Sequence, residues 1–339
     1  MPKSRRLQAS AEERENVVSF IAEGIQEQTK DCGTILVLND RLHRLKIENA
    51  ERWCRYIYKG NSNSIELTSD KFDGVVYRID PNRKSGDMYI QLAASRLKSG
   101  GTLWIVGAND EGIKSTAKHL SPWFKDSDTI DFRRRCRIIQ ATRTEAPAKG
   151  TIKDWSTTIQ VDDTRISWMT FPGLFAGGGA DNGTALLLEA LSKEKVKKEA
   201  YICDFGCGSG MLTSKMAEQF PEANITGLDA DTLAIMAYQN NIANAKSFVS
   251  DGWHSVPNDS RYDLICSNPP MHIGKSEDFG IIHALIQEAP SRLRFRGSLY
   301  LVVLRQIPIQ QWLEESFSQV EMIAETNHYW VWRAQKSRR

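Results

Sequence analysis

Two stretches of this chain follow one plan. "FDGVVYRID" at 72–80 and "YDLICSNPP" at 262–270 each set an aromatic–aspartate pair before a largely apolar run. "LKSGGTLWIVG" at 97–107 and "LRFRGSLYLVV" at 293–303 follow, at intervals that differ by six residues. Short runs this apolar read as strands buried on both faces, which requires parallel pairing and helices on each side of a sheet. The strand–helix–glycine–strand order recurs as well, so the chain is expected to be an internal duplication of one α/β fold. Two unrelated α/β pieces that share an aromatic–aspartate start are the plainer alternative. At 339 residues the chain is also long for a single core. The join is expected near "TEAPAKGTIKDWS" at 144–156, where Pro, Gly and small residues collect, giving domains 1–148 and 149–339.

In the second half the strand patterns "AYICDFG", "NITGLD", "KSFVSD", "YDLICS" and "GSLYLVVL" alternate with helical ones. "VEMIAET" and "HYWVWRA" then close the chain as two antiparallel strands. Five parallel strands and that hairpin make a seven-stranded, doubly wound sheet. The first half keeps the outline and loses the chemistry. Arg78-Ile79-Asp80 stand where the second half has Asn268-Pro269-Pro270, and "GTILVLNDRL" at 33–42 holds no GxGxG. A scaffold or a binding platform is its expected role.

"DFGCGSGML" places Asp204, Gly206, Gly208 and Gly210 between a strand and a helix. Glycines allow the tight turn and let backbone N–H groups approach a ligand at the positive end of that helix. Alone, the pattern would equally suit a dinucleotide. Asp204 argues otherwise, because its carboxylate repels a pyrophosphate and attracts an ammonium group. Asp229 ends the next strand, where it can accept from two ribose hydroxyls. Asp251 ends the third and can accept from an adenine amine, with Gly252 permitting a turn and Trp253 lying against the purine. Three acids on successive strand ends, with Cys207 and Ala230 beside them, define a candidate S-adenosylmethionine site. Helix capping is the ordinary alternative for such acids, and Asp231 is expected to cap its own helix.

Asn268-Pro269-Pro270 ends the fourth strand, since proline has no N–H to give a sheet. The carboxyl edge of an α/β sheet is where sites form. There the Asn268 amide oxygen and the Pro269 carbonyl can accept both hydrogens of an exocyclic amine. That draws its lone pair out of the ring and aims it at a sulfonium methyl, with the prolines fixing the geometry beforehand. Met271 and His272 follow as site-lining candidates.

"DFGCGSG", "SNPPMHIG" and "FPGLFAGGGADNGTALLLEAL" at 171–191 together resemble the ribosomal RNA small-subunit methyltransferase C family, over nearly the whole chain. The resemblance implies tandem class I, Rossmann-like methyltransferase folds, the amino-terminal one degenerate, and methyl transfer to guanine N2 in 16S ribosomal RNA. It also implies that Asp204, Gly206, Gly208, Gly210, Asp229 and Asp251 hold the cofactor and Asn268 to Pro270 the target amine. The segment of Phe171, Pro172, Gly173, Phe175 and Gly183 is expected to close over the site. One departure stands out: the family commonly has a base-stacking aromatic after Asn-Pro-Pro, where this chain has Met271.

A net charge of +2 is too mild to imply a polyanion partner by itself. Local clusters keep RNA open: Arg133, Arg134, Arg135 and Arg137, then Arg292, Arg294 and Arg296, then a basic tail. The six cysteines show no metal-binding spacing and fit reduced thiols in the cytoplasm. No apolar run is long enough to span a bilayer. A monomer acting on the small subunit or an assembly intermediate is expected. Other readings are methylation of adenine N6, of large-subunit guanine N2 or of a protein glutamine, or a non-catalytic assembly factor.

Overall fold

The structure, a computed structural model, describes residues 11–58, 66–161, 166–179, 181–244, 246–269, 272–273, 276–277 and 279–336. The chain divides into two compact units, one of residues 1–58, 62–156 and 272–278, the other of residues 59–61, 157–271 and 279–339.

In the first unit α1 (Ala11–Thr29) precedes β1 (Ile35–Leu38), β2 (Glu51–Trp53) and β3 (Phe72–Arg78). Then come α2 (Arg83–Arg96), β4 (Leu97–Ala108), α3 (Ile113–Thr116), β5 (Phe124–Arg133) and β6 (Cys136–Arg143). The sheet order is β2-β1-β3-β4-β6-β5, parallel through β4 and antiparallel beyond it. Val18, Ile21 and Ile25 of α1 recur at helical spacing and pack on Val37, Val76 and Trp104 of the sheet.

The second unit opens with an antiparallel hairpin, β7 (Thr157–Val161) and β8 (Ile166–Thr170), followed by α4 (Asn182–Leu191). Its sheet is built from β9 (Tyr201–Phe205), α5 (Met211–Gln219), β10 (Asn224–Asp229), α6 (Thr232–Asn241), β11 (Lys246–Val249) and β12 (Tyr262–Ser267). The two-residue strands β13 (His272–Ile273) and β14 (Ser276–Glu277) lie in the segment grouped with the first unit and pair with each other. α7 (Gly280–Arg292), β15 (Leu293–Leu304), α8 (Ile309–Ser316), β16 (Gln319–Glu325) and β17 (Tyr329–Gln335) complete the chain. The seven strands run β11-β10-β9-β12-β15-β17-β16, the order expected of a doubly wound sheet with a terminal hairpin. Alternate residues of β15 face opposite layers. Leu299, Leu301 and Val303 join the α7 and α8 side, and Tyr300 and Val302 join the α4 and α5 side.

The duplication extends to register. β3 pairs with β4 through Phe72↔Leu97 and then, after a bulge, Gly74↔Thr102. β12 pairs with β15 through Tyr262↔Leu293 and then, after a bulge, Leu264↔Ser298. Asp73 accepts from the Thr34 N–H at 2.8 Å and pairs with Lys98. Asp263 accepts from the Tyr201 N–H at 2.9 Å and pairs with Arg294. The Lys98 ammonium and the Thr34 donors pull the Asp73 carboxyl down to about 2. Gly101 and Gly297 sit in matching niches, each with no room for a methyl group beside a backbone carbonyl.

Two differences mark the first copy as degenerate. Its sheet has six strands among the described residues, one fewer than that of the second copy, with β2 at the edge. The position of Asn268 is taken by Arg78, which is 2% exposed and clamped by both Glu111 oxygens at 2.9 and 2.7 Å. A buried guanidinium needs such a partner, and this pair occupies the place that Asn268 holds in the second copy.

A β-carbon at Gly101 would stand 2.9 Å from the Asp73 carbonyl oxygen and one at Gly150 would meet nothing within 4 Å. Gly101→Ala should therefore lose about 1–3 kcal/mol in urea unfolding, with Gly150→Ala within about 0.5 kcal/mol of the parent.

Candidate active site

The candidate residues gather at the carboxyl edge of β9, β10 and β12. β9 turns sharply into α5 through Gly206, Gly208 and Gly210, with φ of 74°, 54° and 96°. The turn differs from expectation in where its N–H groups go. Those of Gly206 and Cys207 donate to the Leu228 carbonyl at 2.8 and 3.0 Å, that of Gly208 to Asp229 and that of Gly210 to the Cys207 carbonyl. These four donors tie the turn to β10 and to itself. The glycines matter for shape instead. A side chain at Gly210 would strike Ile242 and Tyr238, whereas one at Gly208 would project into open space. Cys207 turns its thiol into the core beside Ile235 and Tyr238, so only its backbone borders the turn.

Asp204 is 1% exposed and accepts a 2.6 Å hydrogen bond from Thr213 of α5. Burial raises its carboxyl to about 7; the Thr213 hydroxyl opposes the shift and the negative charge of Asp229 adds to it. Asp229 is half-buried and accepts from the N–H groups of Gly208 and Asp231, both at 2.9 Å. The Asp229 carbonyl accepts from Ser250, which sets Asp251 and Gly252 directly after the neighbouring strand end. Ala230 is half-buried beside Asp229, and Asp231 caps α6 by accepting from Leu233. Trp253 is a correction. It is 4% exposed and packs on Phe205, with ring centres 5.1 Å apart, so it serves the core and offers no face to a purine.

At the end of β12 the Ser267 hydroxyl donates to the Phe205 carbonyl at 2.7 Å, locking the two strand ends together. The Asn268 Nδ2 donates to Asp181 Oδ1 and to Thr184 Oγ1, each at 2.9 Å. Asp181 is the N-cap of α4 and accepts from the Thr184 N–H at 2.7 Å. Both amide hydrogens of Asn268 are thereby committed, while its buried Oδ1 has no partner among the described residues. Pro269 is buried. Pro270 and Met271 lie outside the described residues, and His272 is described only as backbone paired opposite Glu277.

Asp181 and Thr184 escaped sequence reasoning. "ADNGTALLLEAL" carries a visible helix-start signal, Asp before an apolar run, but no spacing connects it with a residue on β12. The preceding segment is fastened to the glycine turn. Trp168 Nε1 donates to Ser209 Oγ at 2.9 Å, and the Asn241 amide bridges the Met169 carbonyl and the Ser209 carbonyl. Phe171 is buried, Pro172 is half-buried, Gly173 is left-handed at φ 80°, and the Phe175 side chain lies outside the description. Gly183 packs closely on Tyr329, whose ring would lie 3.2 Å from an added β-carbon.

The methyltransferase small domain model matches residues 165–333, and the model of its N-terminal domain matches residues 26–159. Ribosomal RNA small subunit methyltransferase C of Shewanella halifaxensis is 31% identical, over 79% of each chain. The protein of that name from Pseudomonas syringae pv. tomato is 29% identical over 86% of this chain and 91% of its own. A 16S rRNA N2 methyltransferase of T. thermophilus, solved with AdoMet and guanosine, superposes with a TM-score of 0.79 over 93% of this chain and 91% of its own, at 21% identity. That likeness carries the fold. No helix among the described residues is long and apolar enough to cross a membrane.

The raised carboxyl of Asp204 has a stability consequence with a definite sign. A folded value near 7 against an unfolded value near 3.8 means the fold favours the protonated acid. Its contribution is complete below about pH 4 and is lost as pH rises through 7, by a few kcal/mol at most. Asp204→Asn should accordingly flatten the fall in urea-measured stability between pH 5 and pH 8 in the cofactor-free protein.

Proposed function

The chain belongs to the ribosomal RNA small subunit methyltransferase C family, and from that premise we propose that it methylates N2 of a guanine in 16S ribosomal RNA, with S-adenosylmethionine as donor. The observation that carries this reading is the orientation of the Asn268 amide. Its nitrogen faces two acceptors on α4, so its oxygen is the end left for a substrate. A buried acceptor without a partner costs about 1–3 kcal/mol, and an amine N–H arriving at Oδ1 would relieve that cost. Guanine N2 is a poor nucleophile because its lone pair is shared with the ring. Accepting its hydrogens at Asn268 Oδ1 and the Pro269 carbonyl shifts that pair toward attack. The Asp181 carboxylate, bonded to the far end of the amide, polarises Oδ1 further.

S-adenosylmethionine supplies a methyl group on a positively charged sulfur. The chain offers a fitting cradle: open space over Gly208, the Asp204 carboxylate for an ammonium, Asp229 with Ala230 for a ribose, and Asp251 with Gly252 for an adenine edge. Gly206, Cys207 and Gly210 hold the turn in shape. Pro270, Met271 and His272 are candidates for the target side from their sequence position alone. Adenine N6, large-subunit guanine N2 or a glutamine amide would suit the same oxygens, and the name that the relatives carry supports a small-subunit RNA target.

Residues 149–339 form the proposed catalytic domain and residues 1–148 a scaffold that also contacts RNA. The β5–β6 turn supports that role. Arg134 and Arg135 both sit in the left-handed region at φ 47° and 65°, beside Phe132, which is 53% exposed under the Arg137 guanidinium. A cytoplasmic monomer acting on the small subunit or its precursor fits six cysteines that form no disulfide.

Asn268→Ala should keep S-adenosylmethionine affinity within about threefold by calorimetry. Its turnover on small subunits lacking the mark should fall about 10²- to 10³-fold; undiminished turnover would remove the amine-holding role. Reversing Arg134 and Arg135 to Glu should lower the salt slope of RNA binding by about one unit per lost phosphate contact, and an unchanged slope would exclude this turn.

A further inference from the structure

The two copies of the fold differ at a loop for which methyl transfer supplies no reason. β4 begins Leu97-Lys98-Ser99-Gly100-Gly101, and β15 begins Leu293-Arg294-Phe295-Arg296-Gly297. Leu97 and Leu293 hold the same register position, as do Gly101 and Gly297, so the residues between them correspond. The fourth residue is left-handed in both, with Gly100 at φ 73° and Arg296 at φ 61°. Glycine takes that conformation without steric cost, and arginine does not. The residue before it is Ser99 in one copy and Phe295, 53% exposed, in the other. Two strands across the sheet the first copy has Thr34, just before β1, and the second has Tyr201 at the start of β9, 44% exposed.

Each exposed ring on this edge carries a guanidinium. Arg296 lies 5.3 Å from the Phe295 ring centre and Arg294 lies 4.4 Å from that of Tyr201. A cavity of about 640 Å³ opens beside them, lined by Tyr201, Arg294, Arg261 and Lys246 with Asp259. Asp263, at the same edge, is already spent on Arg294 and Lys197. The edge lies at the amino ends of the strands, opposite Asn268, a strand length of about 15–20 Å away. Strain at Arg296 and two aromatic rings in water are features that folding alone would remove.

We infer that this amino edge of the catalytic sheet, Tyr201 with Arg294, Phe295 and Arg296, is a second contact for the RNA, gripping an unpaired segment away from the guanine being methylated. Guanidinium groups meet phosphates with paired hydrogen bonds, and an exposed ring offers a stacking face to an unpaired base. The inference rests on the RNA-methylating reading and concerns binding, not the chemical step.

The first copy itself supplies the test. Phe295→Ser with Arg296→Gly rewrites the loop as 99–100 already write it. The double variant should melt at the parent temperature or above, because Gly accepts the left-handed position. S-adenosylmethionine affinity by calorimetry should be unchanged. Binding of protein-free 16S rRNA should weaken about tenfold with a smaller salt slope, and methylation of unmarked small subunits should show a raised KM with kcat within about twofold. Unchanged binding of protein-free RNA would overturn the inference, and a loss confined to assembled subunits would assign the edge to a ribosomal protein. A parent protein that methylates neither substrate would overturn the functional reading instead.

Discussion

An amide side chain has two ends of opposite hydrogen-bonding sense, and the candidate site depends on which one is left open. Turned around, Asn268 would point donors at an amine that already carries donors. The α4 N-cap prevents this. Asp181 Oδ1 holds the helix through the Thr184 N–H and holds Asn268 through Nδ2, while the Thr184 hydroxyl takes the second amide hydrogen. One carboxylate thus starts a helix and orients the Asn268 amide oxygen, and Ser267 fixes the strand end from which that oxygen projects. The helix contributes through its first turn, where unpaired N–H groups always need an acceptor.

Preorganisation of this kind costs stability locally. Asn268 Oδ1 is buried without a partner, and Asp204 is a nearly inaccessible carboxyl raised to about 7. Both are groups that water would solvate well. The surrounding layers offset the cost: β12 and β15 are buried on both faces, with helices on each side.

The two copies separate scaffold from chemistry. Each pins the amino end of its first strand with an aspartate, Asp73 or Asp263, neutralised by a base from the strand beyond, Lys98 or Arg294. Each runs a helix directly into that strand, and each places a glycine where a carbonyl crowds the backbone. These contacts belong to the sheet and survive in both. At the carboxyl edge the copies part. Arg78 and Glu111 close one site as a buried ion pair, and Asn268 keeps the other open.

Strand and helix order, the duplication, the glycine turn and the Asn-Pro-Pro stop could be read from residues alone, because each is a local pattern: alternating burial, φ above zero, a missing N–H. The partners of the N–H groups in the glycine turn and the core position of Trp253 could not be, since each depends on what lies next to a residue in space. The turn amides go to β10, and Trp253 goes to Phe205. Likewise the direction of Asn268 is set by partners more than eighty positions earlier in the chain. Sequence determined which groups stand at the edge of the sheet. Only the folded chain decided which way they face, because hydrogen-bond partners are assigned by proximity after the layers have packed.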